Sequence, residues 1–527
     1  MEPPADTTEG NPPRDPKTTL LLVSVLLIAT CGLVYELITA TMASYLLGDS
    51  VTQFSLVIGV YLSAMGLGSW LSKKIETRLY DRFIRVQLVI ALVGGFSAPA
   101  LYLAFGQLAS VRPLLFGILI VVGCMVGLEI PLVMRVLQKA QSFKDLVARV
   151  LAFDYLGALA ASVLFPLVLL PHLGLIRTSL LFGLINAGVA LWTSVAFAPR
   201  LRRPLWIRGE ASVVAAALAI TFVFGGQLEA TGERQLFDAP VVMSTKTPYQ
   251  RLTLTRWRDD VRLYIDGNLQ FSSLDEHRYH EALVHPAMAD GPTRGRVLLL
   301  GGGDGLALRE VLAHPGVQSV DLVDLDPAMT ELFSTHPMLR DMNRDAFEDP
   351  RVAVHNADAM HWLEGHEGPP FDVILIDLPD PNNFSLGKLY TRSFYRLVAR
   401  HLATRGTLAV QATSPYLAPQ SFWCIAKTMQ AAGLEIRPYH AHVPSFGDWG
   451  FVLATASPRP IPTSLVRGVE RRFLDASTLP GLFAFPLDLR PPPVEINRLN
   501  DQLLVHYYER DLQRMGPGPG QASGVAP

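Results

Sequence analysis

Long apolar blocks dominate the N-terminal part of the chain and constrain its fold more than any other sequence feature. Between Leu20 and Gly226, blocks of about 16 to 25 mostly apolar residues alternate with short basic stretches. A helix needs about 20 apolar residues to cross the hydrocarbon core of a bilayer. The sequence therefore predicts a multi-pass α-helical membrane domain over residues 18–228. Its seven or so spans are expected near residues 20–40, 54–72, 86–109, 114–134, 150–170, 178–197 and 211–226.

The overall composition agrees with membrane content. Charged residues make up 17% of the 527 residues and the mean hydropathy is +0.27, whereas soluble domains carry roughly 25% charged residues. These values exclude a disordered protein, a coiled coil and a wholly soluble enzyme. The net charge of −2 gives no reason to expect nucleic acid as a partner. The scattered Cys31, Cys124 and Cys424 form neither a disulfide framework nor a metal pattern.

Basic residues in the loops predict how the spans are oriented. Lys and Arg crowd the loops after the second, fourth and sixth blocks, whereas the first loop, near Gly48–Ser50, has none. By the positive-inside rule, these loops and the N-terminus face the cytoplasm of a multi-pass inner (cell) membrane protein. Seven spans would place residue 235 onward outside the cytoplasm. The seventh block, Ala211–Gly226, is short enough to be a surface or re-entrant helix instead, so the side stays open.

After about Ala230, alternating strands and amphipathic helices replace the apolar blocks. This change predicts a β-strand substrate-gating subdomain at 235–290 and a Rossmann-like α/β domain of class I methyltransferase type at 291–456. A C-terminal extension follows at 457–527. Residues 1–17 and the Gly/Pro-rich C-terminal end are predicted to be disordered.

The segment before the α/β domain predicts a hairpin followed by a charged helix, for which solvated charges on a capped helix are the weaker explanation. Tyr249–Leu254 and Val261–Ile265 alternate in hydrophobicity and predict a β-hairpin. Asp275–Glu281 then leads into a helix. His280 and Glu281 are adjacent in that helix and point apart, so no metal site is expected there.

The strongest chemical signal is the predicted strand Arg296–Leu300, which runs into the glycine-rich turn Gly301–Gly305. Glycines such as Gly301 and Gly303 permit a tight turn and let backbone N–H groups approach a ligand closely. Three more predicted strands lead to aspartates, and Asp324 stands where an acid takes the ribose hydroxyls of a nucleoside. In a doubly wound sheet, ligands bind at the carboxyl ends of the strands. The aspartates that this pattern delivers to one edge are Asp304, Asp324, Asp358 and Asp377.

These acids also have a simpler explanation, because Asp commonly caps helix N-termini. Capping can account for one or two of the four, but is the weaker explanation for all of them together. An excess of acid at the site favours cationic amines over substrates that carry a carboxylate. The acids expected to line the site are Asp304, Asp377 and Asp380, with Asp275 and Glu276 upstream.

Together these motifs resemble the spermidine synthase (polyamine aminopropyltransferase) family over residues 249–451. The apolar N-terminal half looks like that of the bacterial members that are fused to a membrane domain. The motifs that carry the resemblance are Asp266-Gly267-x-x-Gln270, Asp275-Glu276-x-x-Tyr279-His280-Glu281, Gly301–Gly305, Arg309–Leu312, Asp349–Val352, Asp377-x-x-Asp380-Pro381, Leu389-Tyr390, Phe394-Tyr395 and Gln411 with Ser414-Pro415.

The resemblance implies a reaction and roles for individual residues. It implies transfer of the aminopropyl group of decarboxylated S-adenosylmethionine to a diamine such as putrescine, with no permanently bound cofactor, no metal and a homo-oligomeric enzyme. Asp377 would be the base that accepts the amine proton. The residues implied to hold the amine are Tyr279, His280, Asp304 and Asp380. The residues implied to bind the nucleoside donor are Gln250, Gly301, Gly303, Asp324, Asp358 and Ala359.

The chain departs from the family pattern at three places. The family usually has Glu at Asp324, a Gly-Pro pair where this chain has Asn382–Phe384, and Pro-Thr-Tyr where this chain has Pro444–Phe446. Asp324 is shorter than glutamate but can still bind a diol. The other two departures leave the acceptor amine open.

Two other functions are compatible with the sequence. One is a methyltransferase that uses S-adenosylmethionine on the same nucleoside-binding fold. The other is a membrane carrier or sensor whose soluble domain only binds polyamine. The carrier hypothesis rests on carboxylates inside the apolar spans, which mark function or pair near the interface: Glu36, Glu129 and Asp154.

Overall fold

The computed structural model describes residues 16–47, 50–105, 111–138, 143–228, 237 and 239–514. The chain divides into two compact units, Met1–Leu236 and Phe237–Pro527. The predicted disordered ends lie almost wholly outside the described residues. The first helix begins at Pro16, inside the tail predicted for residues 1–17.

The first unit is helical throughout its described secondary structure. Among its described residues, six stretches are long and apolar enough to cross a membrane by length and composition. One of them, Lys144–Ala196, has 53 residues, which is enough for two spans. It breaks at Gly174, whose φ of 70° and ψ of −177° are not helical. The helices are α1 (Pro16–Leu47), α2 (Ser50–Leu71), α3 (Leu79–Gly95), α4 (Ser97–Phe105), α5 (Arg112–Leu137), α6 (Phe143–Leu164), α7 (Leu170–Ala196) and α8 (Pro204–Val223).

Helix α8 runs antiparallel to the part of α7 that follows Gly174. Three contacts align the two helices along their length: Arg208 with Ser194, Leu218 with Gly183, and Gly225, just beyond α8, with Arg177. The helix begins at Pro204, before the charged Arg208 and Glu210, and has 20 residues. The seventh apolar block therefore lies mostly within a helix that begins earlier in the chain than the block does.

Glycines allow α2 and α5 to pack with their backbones in contact. Gly68 of α2 faces the backbone of Cys124, and Gly127 of α5 faces the backbone of Met65. A Cβ atom at either glycine would overlap the facing carbonyl oxygen. Small residues bring membrane helices together in the same way, because they let the backbones approach.

The second unit begins with a small antiparallel sheet that includes the predicted hairpin segments. The strand order is β1-β2-β3-β4, so the sheet is larger than a two-stranded hairpin. Its strands are β1 (Val241–Lys246), β2 (Arg251–Trp257), β3 (Asp260–Ile265) and β4 (Asn268–Ser272).

A seven-stranded sheet with the order β10-β11-β9-β8-β5-β6-β7 forms the rest of the unit. Five strands are parallel, and β10 and β11 add an antiparallel pair at one edge. The Rossmann-like α/β fold predicted from the sequence is confirmed. The strands are β5 (Arg296–Gly301), β6 (Ser319–Asp324), β7 (Val352–Asn356), β8 (Phe371–Asp377), β9 (Leu402–Gln411), β10 (Glu435–Val443) and β11 (Gly447–Thr455).

Helices cover both faces of this sheet, so the central strands are apolar on both sides. Leu298 and Leu300 of β5 belong to one core, and Val297 and Leu299 belong to the other. The helices are α9 (Glu276–Asp290), α10 (Leu306–Leu312), α11 (Pro327–Thr335), α12 (Pro337–Asn343), α13 (Ala359–Gly365), α14 (Phe384–Gly387), α15 (Arg392–His401), α16 (Pro419–Ala431) and α17 (Leu503–Arg514).

The segment after β11 is ordered along the sheet domain as far as Arg514. Glu281 of α9 accepts hydrogen bonds from the backbone N–H groups of Arg472, Phe473 and Leu474, at 2.6–3.0 Å. Farther along, the Trp423 indole donates to the Leu489 carbonyl at 3.1 Å. The extension as far as Arg514 therefore packs on the sheet domain rather than leaving it as a tail.

The α2–α5 packing predicts that Gly127→Ala destabilises the helical unit. The added Cβ overlaps the Met65 carbonyl, and overpacking of this kind costs about 1–3 kcal/mol. The matched control is Gly117→Ala on the same helix, where the added Cβ meets nothing within 4 Å. Thermal unfolding of the purified protein in detergent should give a lower midpoint for Gly127→Ala only. Equal midpoints for both variants would contradict the close packing.

Candidate active site

The glycine-rich turn brings the ends of β5 and β8 together. Gly301 has a φ of 82° and Gly302 a φ of 67°, which favour glycine. The Gly302 N–H donates to the Asp377 carbonyl at 3.2 Å, and a Cβ atom at Gly301 would overlap the same carbonyl. A Cβ at Gly303 would lie 2.6 Å from the Asp324 carboxyl group. Gly301 therefore lets the backbone at the end of β8 approach the turn, and Gly303 does the same for the Asp324 carboxylate.

Asp324, at the end of β6, is fixed by two backbone N–H groups. Gly303 donates to one carboxylate oxygen at 3.1 Å, and Asp326 donates to the other at 3.0 Å. Burial raises the pKa of Asp324 to about 6, although both hydrogen bonds act against the rise. The carboxylate of Asp324, which is predicted to bind the ribose hydroxyls, thus lies against the glycine turn.

Asp326 is a site residue that the sequence reasoning missed. It is 1% exposed and caps α11 through the Ala328 N–H at 3.1 Å. It also accepts hydrogen bonds from Thr247 at 2.7 Å and Gln250 at 3.0 Å. Gln250, predicted to contact the nucleoside, is therefore bonded to Asp326 here. The Asp326-Pro327 pair was the available signal, since Pro favours the first position of a helix after its cap.

The N-cap explanation is correct for Asp358. Its carboxylate accepts from the N–H groups of Met360 and His361 at 3.0 and 3.1 Å, and Lys388 binds its other oxygen at 2.7 Å. Asp358 and the buried Ala359 lie at the predicted edge of the sheet. Their predicted contact with the nucleoside remains a prediction, and the Asp358 side chain is occupied by these partners.

Asp377, at the end of β8, accepts a hydrogen bond of 2.5 Å from the Tyr279 hydroxyl. Burial raises the pKa of Asp377 to about 6, and the nearby charge of His280 limits the rise. Asp304 follows β5, and burial raises its pKa as well. Its Oδ1 accepts the Leu306 N–H at 2.9 Å, so Asp304 also serves the start of α10.

His280 is held by Glu276 one turn earlier on α9. Its Nδ1 lies 2.8 Å from Glu276 Oε2, and Arg309 binds the same oxygen at 2.9 Å. Burial alone would lower the pKa of His280, but Glu276 raises it to about 9. A protonated imidazole repels ammonium groups, so His280 in this state is unsuited to hold an amine directly. Its charge instead compensates the carboxylates of Asp304 and Asp377.

Two acids expected to line the site are occupied by other partners of the protein. Both Asp275 carboxylate oxygens accept hydrogen bonds from Ser445, at 2.6 and 2.9 Å. Glu276 is bound by His280 and Arg309, and these partners lower its pKa to about 2 against the effect of burial. Only Glu276 therefore has its charge compensated by cations, and the contribution of Asp275 to the site's acidity remains a prediction. Each is a structural acid with its own donor.

Asp380 lies in the loop after β8 and has neutral partners. Tyr508 donates to Asp380 Oδ2 at 2.8 Å, and Gln411 Nε2 lies 3.5 Å from Oδ1. Burial raises the pKa of Asp380 to about 6. The sequence reasoning missed Tyr508, because it lies in α17, far along the chain. Its only sequence signal was an amphipathic stretch after the Pro-rich segment.

The arrangement can therefore bind cations and accept a proton. Asp304, Asp377 and Asp380 supply three carboxylates, and His280 offsets only part of their charge. The buried phenols of Tyr279 and Tyr390 lie beside them. A carboxylate with a pKa near 6 is ionised at neutral pH and can act as a general base.

The comparisons with known proteins agree with this chemistry. A family model described as "Spermine/spermidine synthase domain" matches residues 276–464. The polyamine aminopropyltransferase 1 of Ralstonia nicotianae is 52% identical, over 97% of this chain and 98% of that protein. The polyamine aminopropyltransferase of Leptospira interrogans is 49% identical, over 94% and 99%. The crystal structure of spermidine synthase from Thermotoga maritima matches with 25% identity and a TM-score of 0.41, over 47% of this chain and 84% of that one.

The buried His280–Glu276 pair predicts a pH dependence of stability. Because the folded pKa of His280 is raised to about 9, its stabilisation is complete below about pH 6.5 and is lost as the pH rises through 9. The loss should amount to about 2–3 kcal/mol. The Glu276 contribution disappears at the other end, as the pH falls from about 4.5 through 2.

Thermal unfolding between pH 6.5 and 9 tests this. The midpoint of the unchanged protein should fall more steeply with pH than that of Glu276→Gln, which lacks the pair. Glu331→Gln removes an exposed carboxylate on α11 and should behave like the unchanged protein. Parallel curves for all three proteins would mean that the pair does not hold His280 protonated.

Proposed function

The chain belongs to the spermine/spermidine synthase family and is a polyamine aminopropyltransferase, and we propose that its acceptor is the short diamine putrescine. The reaction then yields spermidine and methylthioadenosine. Decarboxylated S-adenosylmethionine is the co-substrate, and no permanently bound cofactor is used. The homo-oligomer implied by the family resemblance remains a prediction.

The observation that supports a short diamine is the closed end of the site at Asp380. Tyr508, Gln411 and Tyr390 surround this carboxylate; Gln411 is 2% exposed and Tyr390 is fully buried. A site closed at this end favours a short amine over a long polyamine. In this arrangement Asp380 binds the distal ammonium group, and Asp377 faces the attacking nitrogen.

The reaction is a displacement at the carbon next to the sulfonium. The amine nitrogen attacks this carbon, the carbon–sulfur bond breaks, and its electron pair stays on sulfur as a thioether. An alkylammonium has a pKa near 10, so the nitrogen must first lose a proton. Asp377 accepts it, and Tyr279 orients the carboxylate by its hydrogen bond. Most of the rate enhancement comes from holding two mutually repelling cations in line.

The nucleoside part of the donor fits the edge beside the glycine turn. Asp324 can accept hydrogen bonds from the ribose hydroxyls while the Gly303 and Asp326 N–H groups hold its carboxylate. Gly301 and Gly303 leave room for the donor to approach the backbone. Gln250, Asp358 and Ala359 remain predicted contacts of the thioadenosine group.

We expect Asp377→Asn to lower turnover by about 10²–10⁴ while it retains donor binding, because the amide keeps the shape but cannot accept the proton. The assay is mass-spectrometric detection of methylthioadenosine and spermidine from decarboxylated S-adenosylmethionine and putrescine. Asp341→Asn, which changes an exposed carboxylate on α12, is the control. Turnover by Asp377→Asn at the control rate would reject the assigned base.

The same assay with a panel of amines tests the acceptor. Putrescine should give a higher kcat/KM than spermidine or cadaverine. In a plot of kcat/KM for putrescine against pH, the acid limb of the unchanged enzyme should lie near pH 6. Asp377 and Asp380 lose their charge below that value. A preference for spermidine would reject the short-diamine proposal and leave the reaction class intact.

We propose further that the helical unit spans the inner membrane seven times. The third span consists of α3 and α4, and the Lys144–Ala196 stretch provides two spans. The support for the seventh is that α8 lies along α7 over its full length, so it covers the same depth. Its exposed side carries large apolar residues along its length, with Glu210 among them near the N-terminal end: Leu205, Trp206, Val213, Ile220 and Val223 are 61–78% exposed.

Seven spans put the catalytic unit on the side opposite the basic loops, which is outside the cytoplasm by the positive-inside rule. The donor is made in the cytoplasm, so this topology requires that donor reach the outer face. The proposal therefore commits to a transport step that a cytoplasmic active site would not need.

Reporter fusions on either side of α8 test the seventh span. Fusions after Arg203 should be fluorescent with a reporter that folds only inside and inactive with alkaline phosphatase, which is active only outside. Fusions after Leu228 should show the reverse. If both positions gave fluorescence without phosphatase activity, α8 would not cross the membrane and the active site would be cytoplasmic.

A further inference from the structure

Tyr508 reaches the proposed amine end of the site from outside the part of the chain that the family model matches. It belongs to α17, Leu503–Arg514, whereas the family match ends at residue 464. Its hydroxyl donates to Asp380 Oδ2 at 2.8 Å, across 128 residues of sequence. The residue therefore contributes to the site only because the chain returns to the sheet after the matched domain has ended.

Helix α17 is firmly anchored where it places Tyr508. Asp511, which is 1% exposed, accepts hydrogen bonds from the Ser421 N–H at 3.1 Å and the Ser421 hydroxyl at 3.2 Å. Leu504 and Val505 are buried at the other end of the helix. The position of the phenol is thus set on both sides by contacts with the sheet domain.

Asn497 ties the approach to α17 to the loop after Asp380. Its amide donates to the carbonyls of Gly387 and Tyr390 at 3.0 and 3.2 Å. The Leu504 N–H donates back to its side-chain oxygen at 3.3 Å. One side chain therefore joins α17 to the wall of the amine site.

Asp380 differs from Asp304 and Asp377, whose charges His280 partly offsets, because no cation of the described residues lies beside it. Within the described chain its hydrogen bonds come from Tyr508 and Gln411, and the titratable groups facing it are the phenols of Tyr279, Tyr390 and Tyr508. A buried carboxylate is costly to ionise unless a charge or hydrogen bonds compensate it. The phenol of Tyr508 is its shortest such bond, and a substrate ammonium would supply the missing cation.

We propose that Tyr508 is a positioning residue for the acceptor amine, which it serves by orienting Asp380 and stabilising its ionised form. The inference rests on the proposed binding of the amine at Asp380. It makes the C-terminal extension part of the acceptor site.

A double-mutant cycle with Tyr508→Phe and Asp380→Asn tests this proposal in the full-length enzyme. Tyr508→Phe keeps the ring and removes the donated hydrogen bond, so the KM for putrescine should rise about fivefold to twentyfold. The donor KM should stay the same, and kcat should change by less than about twofold. The acid limb of kcat/KM for putrescine should move to higher pH, since Asp380 is then protonated more readily. In the Asp380→Asn background, the second substitution should have no further effect.

The matched control is Tyr507→Phe, which changes the adjacent tyrosine of α17, whose hydroxyl accepts from the Glu495 N–H at 3.2 Å. It should leave the KM for putrescine and the acid limb unchanged. An equal effect of Tyr508→Phe with Asp or Asn at 380 would show that Tyr508 does not act through Asp380, and would overturn the proposal.

Two further outcomes separate this inference from the proposed function. If Asp380→Asn raises the KM for putrescine but Tyr508→Phe does not, the amine site stands and the role of Tyr508 is rejected. If neither variant changes the KM for putrescine, the amine does not bind at Asp380 and both proposals fail. A raised donor KM together with a lower unfolding midpoint for Tyr508→Phe would indicate a structural role only, and would also reject it.

Discussion

Burial of carboxylates at one edge of the sheet is the constraint on which the site depends. Asp324, Asp377 and Asp380 each have a pKa raised to about 6 because the surrounding protein removes them from water. Such groups stay ionised at neutral pH only when cations or hydrogen bonds offset the cost. The structure offsets it differently for each: backbone N–H groups for Asp324, the His280 charge beside Asp377, and a phenol for Asp380. Three acids with similar pKa values therefore differ in which group compensates the charge of the carboxylate.

Glu276, whose charge is paired within the protein, matters as much as the acids that face the substrate. Glu276 carries no charge that is free to attract an amine, since His280 and Arg309 bind it. Its effect is indirect, because it keeps His280 protonated next to Asp377. Counting carboxylates in the sequence overestimates the acidity of the pocket, but the carboxylates that remain are sufficient for a site that takes cations.

The parts of the fold that depend on local sequence could be predicted. Alternating strands, the glycine turn and an aspartate at each strand end are read from neighbouring residues, and they correctly placed Asp324 and Asp377 at the sheet edge. Partners distant in sequence could not be predicted. Lys388 pairs with Asp358 from 30 residues away, and Tyr508 is 128 residues from Asp380. The length of α8 was underestimated for another reason. Counting apolar residues stops at charged residues, which a helix tolerates near its end.

The charge arrangement also bears on how the nucleoside product leaves the site. Both substrates arrive as cations, and the unpaired carboxylates compensate their charge while the two are brought together. Displacement converts the sulfonium into a neutral thioether, and in the proposed mechanism Asp377 takes the proton of the amine. The nucleoside product then no longer carries the charge that the carboxylates attracted, whereas its precursor did. The site therefore binds the donor more favourably than the thioether product, so that loss of the sulfonium charge itself promotes release of methylthioadenosine.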